Sequence, residues 1–169
     1  GQAGMGKSRL LEKFIALGKQ QGFNCHTARN LNFGMGNNRS ILKLFLSNLI
    51  GFGLNEPEFK QHDSILKFAS KHIEEQRDSA VLFDIFEMEQ PIENRVLLDA
   101  MSPLSRHNEK IEFASRTLRR LSLKTPQICG FEDLHFADKT AVSLLQNLLQ
   151  ESNHSRIILV VSSRYDTET

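Results

Sequence analysis

The sequence predicts an α/β fold, a three-layer parallel sheet covered by helices, with a long helical excursion between its second and third strands. Three observations carry that expectation. A glycine-rich run, Gly1-Gln-Ala-Gly-Met-Gly6-Lys7-Ser8, leads straight into a helical pattern. An apolar stretch, Gln127-Ile-Cys-Gly-Phe131, reads as a buried strand and closes on Glu132-Asp133. A second apolar run, Arg156-Ile-Ile-Leu-Val-Val161, follows after one more helical pattern. Strands alternating with helices give the βαβ logic of a parallel sheet.

The first eight residues fit G-x-x-x-x-G-K-S/T, the pattern of a phosphate-binding loop. Glycines let the backbone turn its N–H groups inward on a phosphate, and a Cβ at Gly6 would crowd the anion or resist a positive φ. Lys7 supplies charge to the β- and γ-phosphates, and the Ser8 hydroxyl is a hard oxygen ligand suited to Mg²⁺. The helix that follows adds its positive end to the same site. Gly1, Gly4, Met5, Gly6, Lys7, Ser8 and Arg9 are therefore the expected nucleotide-binding residues. A phosphate loop ordinarily follows a buried strand, and nothing precedes Gly1, so the chain reads as a fragment whose first strand is missing.

From Lys7 to Gln20, Leu10, Leu11, Phe14, Ile15 and Leu17 fall at helical spacing, with Gly18 and Gly22 marking the end. Phe23 to Ala28 reads as a short strand, and Asn30 to Asn38 as a loop of turn residues. Ser40 caps a helix through Ile41, Leu42, Leu44, Phe45, Leu46, Leu49 and Ile50, which Gly51 and Gly53 stop. Helical segments are expected near Ser64–Glu75, Ser79–Glu87 and Glu93–Met101, punctuated by Pro57, Pro91 and Pro103. Their Phe and Leu residues read as core. Arg106 to Lys124 is a longer amphipathic helix whose Arg116, Arg119 and Arg120 form a basic patch, read as a solvated face rather than a partner surface. Pro126 ends it. Asp138 or Thr140 caps the helix after the acidic strand end, and Asp138 reads as a cap rather than a ligand.

Composition narrows the function classes. The chain has 169 residues, enough for one domain with a real core, and its 40% hydrophobic and 24% charged content is that of a soluble globular protein. A net charge of +1 gives no electrostatic case for nucleic acid or an anionic membrane. No apolar run approaches the roughly 20 residues of a membrane span. Cys25 and Cys129 both fall in expected strands, which fits plain packing and a reducing, cytoplasmic setting.

Two acids at the carboxyl end of an apolar strand complete what a Mg-nucleotide site needs beside its phosphate loop. One carboxylate of Glu132 and Asp133 holds Mg²⁺ and the other polarises the attacking water; the sequence does not fix which does which. Arg164, past the end of the next strand, falls where ligands bind in such sheets and is placed to read a γ-phosphate. His135 has two readings, a nucleotide sensor or a loop anchor.

Three stretches now show a resemblance: Gln2-Ala-Gly-Met-Gly-Lys-Ser-Arg-Leu-Leu11, Phe131-Glu-Asp-Leu-His-Phe-Ala-Asp138 and Val160-Val-Ser-Ser-Arg164. They look like the AAA-like P-loop ATPase domain (ASCE type) of multidomain bacterial signalling proteins. That group is similar to the STAND ATPases and to origin-recognition-complex-like AAA ATPases. The nearest likeness is to modules found beside class III adenylate cyclase domains and tetratricopeptide repeats, and Leu82-Phe-Asp-Ile-Phe86 and Leu98-Asp-Ala-Met101 resemble that subgroup's helical stretch. The resemblance implies one partial P-loop domain over residues 1–169: Walker A at 1–8, a helical insertion over about 39–124, Walker B at 127–133 and a sensor-like strand at 156–164. Gly1, Gly4, Gly6, Lys7 and Ser8 would be Walker A, Glu132 and Asp133 Walker B, and Arg164 the family's arginine after the fourth strand. Phe136 stands where the family often has Trp. The first and fifth strands and any lid or winged-helix module would be missing.

The expected function is Mg-ATP binding and slow hydrolysis in a regulatory switch, with ATP and Mg²⁺ as cofactors. Other domains of the same polypeptide are the expected partners, together with self-association. A non-hydrolysing, nucleotide-gated interaction module is the alternative. A P-loop kinase and a DNA-bound origin-type role rank below it.

Overall fold

The computed structural model describes residues 5–29, 40–153 and 155–164. Their order is α1 (Lys7–Gln20), β1 (Asn24–Arg29), α2 (Ile41–Ile50), α3 (Glu58–His72), α4 (Gln76–Ile85), α5 (Ile92–Asp99), α6 (Pro103–Lys124), β2 (Gln127–Glu132), a short 3-10 turn (Leu134–Phe136), α7 (Lys139–Ser152) and β3 (Ile157–Val161).

The expected three-layer P-loop NTPase sheet with a helical insertion is not what forms. The chain is mostly helical (64%), and its sheet is a small parallel one of three strands in the order β1-β2-β3. The reason lies in where the apolar side chains are. Residues 41–124 are not an excursion from a sheet-centred core; they supply most of the core themselves. Leu46, Ile65, Leu82, Leu98, Ile111, Phe113 and Leu118 are fully buried in one cluster that the sheet joins through Ala28, Cys129, Phe131 and Ile157. Burial on that scale, at about 25 cal/mol per Å² of apolar surface, makes the helices the main stabilising body.

Residues of β2 alternate between two packed sides, as the pleat requires. Phe131 meets the Phe45 ring of α2 at 5.5 Å between centroids. Gly130 faces α1, where a Cβ would lie 3.0 Å from Leu11. Gly18 does not end α1, as its sequence position suggests. It sits inside the helix, where a Cβ would fall 2.4 Å from the Ile128 side chain. The missing side chain lets helix and strand approach.

Two helix starts follow the expected chemistry. The Ser40 hydroxyl accepts from the Lys43 backbone N–H at 3.2 Å, and the Asp138 carboxylate accepts from Ala141 at 2.8 Å. At its other end α2 stops at Gly51, whose φ of 99° is a left-handed cap. The helix expected from Ser64 begins earlier, at Glu58 after Pro57; Phe59, the one apolar residue before Ser64 in it, is exposed and sets no apolar period.

The basic patch on α6 is not simply a solvated face, because two of its three arginines serve a buried acid. Arg116 and Arg120 reach the Asp78 carboxylate of α4 at 2.8 and 2.6 Å, and Asp78 is 1% exposed. Arg116 also bonds Glu109 at 2.8 Å, and Arg77 pairs with the same buried Glu109. Buried acids need such partners, and removing one from such a pair costs about 3–5 kcal/mol. Only Arg119 keeps a mainly solvent-side role, meeting Glu151 of α7 at 3.4 Å.

Candidate functional site

Parallel strands all finish on the same edge of the sheet, and the site residues collect there. Because β2 lies between β1 and β3, its terminal Glu132 and the following Asp133 stand between Arg29, the last residue of β1, and Arg164, three residues past β3. The loop before α1 arrives at this edge because α1 packs along β1 and β2. Met5, Gly6, Lys7, Ser8, Arg9, Arg29, Asp133 and Arg164 line one open cleft of about 320 Å³.

Gly6 takes φ 79° and ψ 19°, the left-handed turn that a phosphate loop needs and that L side chains resist. It opens α1 without a capping side chain, and the first turn, Lys7-Ser8-Arg9, holds no acid. The positive end of a 14-residue helix therefore faces the cleft beside two cationic side chains.

The Ser8 hydroxyl donates to Glu132 Oε2 at 2.5 Å. This contact joins the two motifs of the sequence in one place. Asp133 adopts a left-handed backbone, φ 57°, which Asp tolerates better than most residues, and the turn points its carboxylate to Arg29. Arg29 Nε donates to Asp133 Oδ2 at 2.9 Å. That bond and the Asp133 charge hold the Arg29 guanidinium more firmly protonated than usual.

Met5, Gly6, Lys7, Ser8, Arg9, Asp133 and Arg164 come together in the cleft, and Glu132 joins through Ser8. Gly1 and Gly4 lie outside the described residues, as does the Asn30–Asn38 loop. His135 lies in the 3-10 turn after Asp133, partly buried. Asp138 is a helix cap. Arg29 was missed; its signal in the sequence was a cation ending a strand beside the acidic strand.

A second cleft among the described residues is built differently. A hollow of about 420 Å³ beside α5 and α6 is lined by Asp99, Arg106, His107 and Lys110. Its cations already serve Asp84: Arg106 grips it with two nitrogens, and Lys110 meets it at 2.8 Å. Burial alone would lift the Asp84 carboxyl, but these two partners outweigh it and hold the group below its ordinary value. Cys129 is fully buried, which pushes its thiol far above the ordinary range and leaves it inert. Among the described residues no cluster of three or more His, Cys, Asp or Glu forms a metal cage, and no helix is long and apolar enough to cross a membrane.

Compared with protein-family models, with curated proteins and with solved structures, the chain matches none.

Proposed function

We propose that this cleft binds Mg-ATP and hydrolyses it slowly, as the nucleotide switch of a signalling protein. The observation that supports this most is the Ser8–Glu132 hydrogen bond, because it brings the glycine-lysine-serine loop and the acidic strand end to one cleft. A hydroxyl and carboxylates are hard oxygen donors, so the donor set fits Mg²⁺. Lys7, the left-handed Gly6 and the first turn of α1 fit a polyphosphate.

In this reading Ser8 and Glu132 hold the metal side of the site. Bound Mg²⁺ would neutralise charge on the phosphates. Lys7 binds the β- and γ-phosphates. Asp133, which lines the cleft, orients the attacking water, and Arg164 meets the γ-phosphate from the β3 side. Arg9 and Met5 border the phosphate path. A nucleotide seated here touches the ends of β1, β2 and β3 and the start of α1, which makes the cleft a natural place for attached domains to sense its state.

Phosphate release from Mg-ATP by this chain, beside Asp133→Asn, tests the reading. Asn keeps the left-handed turn but cannot polarise water as a carboxylate does. Slow release that vanishes in the variant is expected. Equal release from both would remove Asp133 from the chemistry.

A further inference from the structure

We propose that Arg29 is a phosphate-binding residue of the cleft, which holds the terminal phosphate of a nucleoside triphosphate while Asp133 aims it. This rests on the nucleotide reading above and adds to it a residue that sets triphosphate against diphosphate. Four observations lead there. Arg29 ends β1 at the sheet edge, paired in register with Glu132. It lines the same cleft as Lys7, Ser8 and Arg164. Its side chain is 53% exposed, so it is not a packing residue. Among the described residues its guanidinium makes one hydrogen bond, through Nε to Asp133.

That use of Nε matters. A guanidinium has five N–H donors in a rigid plane, and four of them are on the two terminal nitrogens. An Asp that takes Nε fixes the plane and leaves the terminal edge for a second anion. Two parallel N–H donors match two oxygens of a phosphate, which a Lys at this position does not reproduce. Arg29 and Arg164 then stand on opposite sides of the acidic pair, Arg29 at the end of β1 and Arg164 beyond the end of β3. Lys7 and the first turn of α1 approach the phosphates from the loop side, so the strand-end arginines would meet the terminal phosphate from the sheet side. Asp133 is here a positioning residue for Arg29 as well as a cleft-lining acid.

The test compares Mg-ATP and Mg-ADP affinities, by calorimetric titration of the chain, for the wild type, Arg29→Ala, Arg29→Lys and Lys7→Ala. Arg29→Ala is expected to weaken Mg-ATP by roughly fivefold or more while Mg-ADP stays within about twofold. Arg29→Lys is expected to recover part of the ATP affinity, since it keeps the charge and loses the fork. Equal weakening of both nucleotides in a variant that melts like the wild type, or no change in either, would overturn the proposal. Thermal melting of the nucleotide-free Arg29→Ala chain separates a folding defect, which would lower the melting temperature and weaken both nucleotides alike. If the wild type binds neither nucleotide, the site reading itself fails, and this proposal with it. If the wild type binds both, Lys7→Ala abolishes binding and Arg29→Ala changes nothing, the site stands and only the role of Arg29 falls.

Discussion

Ser8 and Glu132, 124 residues apart in sequence, share a 2.5 Å hydrogen bond between the start of α1 and the end of β2. A hydroxyl and a carboxylate are both hard oxygen donors, and in the proposed site the two would face the same Mg²⁺. Nucleotide affinity should therefore depend on Mg²⁺ through Ser8. Wild-type chain is expected to bind ATP at least roughly tenfold more tightly with Mg²⁺ than with a chelator. Ser8→Ala should shrink that ratio toward one. Titrations with and without chelator check it, and an unchanged ratio in the variant would take Ser8 out of the metal site.

The approach of α1 to the sheet makes a second prediction. Gly18→Ala gains up to about 1 kcal/mol of helix propensity but asks the tip of Ile128 to move, so its net effect is small. Gly18→Val adds two further methyls to the same contact, where overpacking costs about 1–3 kcal/mol. Urea midpoints should be close for wild type and Gly18→Ala and clearly lower for Gly18→Val. A Gly18→Val chain as stable as wild type would mean that α1 does not sit as closely on β2 as described.

His26 gives the pH dependence. Its Nε2 lies 2.9 Å from Gln127 Oε1 and its Nδ1 lies 3.3 Å from the Asn48 carbonyl. Burial lowers its pKa, against the opposing pull of these two partners. The folded chain therefore takes up the proton less readily than the unfolded chain. Stability from this group is present above its unfolded value of about 6.5 and is lost as pH falls below it. His72, also lowered by burial, adds in the same direction. Denaturant midpoints should drop between pH 7.5 and 5.5, and the drop should be smaller in His26→Gln. A midpoint that rises on acidification in this window would contradict the assignment.

How much of this was legible in the sequence depends on the range of the interaction. The bounds of α1 and α2 follow from local apolar period and, for α2, from Ser40. The acidic strand end and the loop at Gly6 are local motifs, and the structure brings them together. The ion pairs are not local. Arg116 and Arg120 find Asp78 across 38 and 42 residues, and no periodicity distinguishes a helical Arg that serves a buried acid from one that serves water. Arg29 and Asp133 are 104 apart, and their pairing depends on β1 and β2 being neighbours. The fold class is hidden from the sequence for a similar reason. Strand-like runs show that a sheet exists, but whether the sheet or the helices hold the core depends on how residues 41–124 pack, which amphipathic period alone does not show.

The most direct test of the account is a calorimetric titration of Mg-ATP into this chain and into Lys7→Ala. Lys7 lines the cleft next to Gly6 and Ser8, where its ammonium is a point charge suited to a phosphate. One saturable site is expected in the wild type, with a loss of at least roughly 100-fold in affinity in the variant, about 2.7 kcal/mol by the usual conversion. The same affinity in both chains, or no binding to a folded wild type, would contradict the nucleotide site.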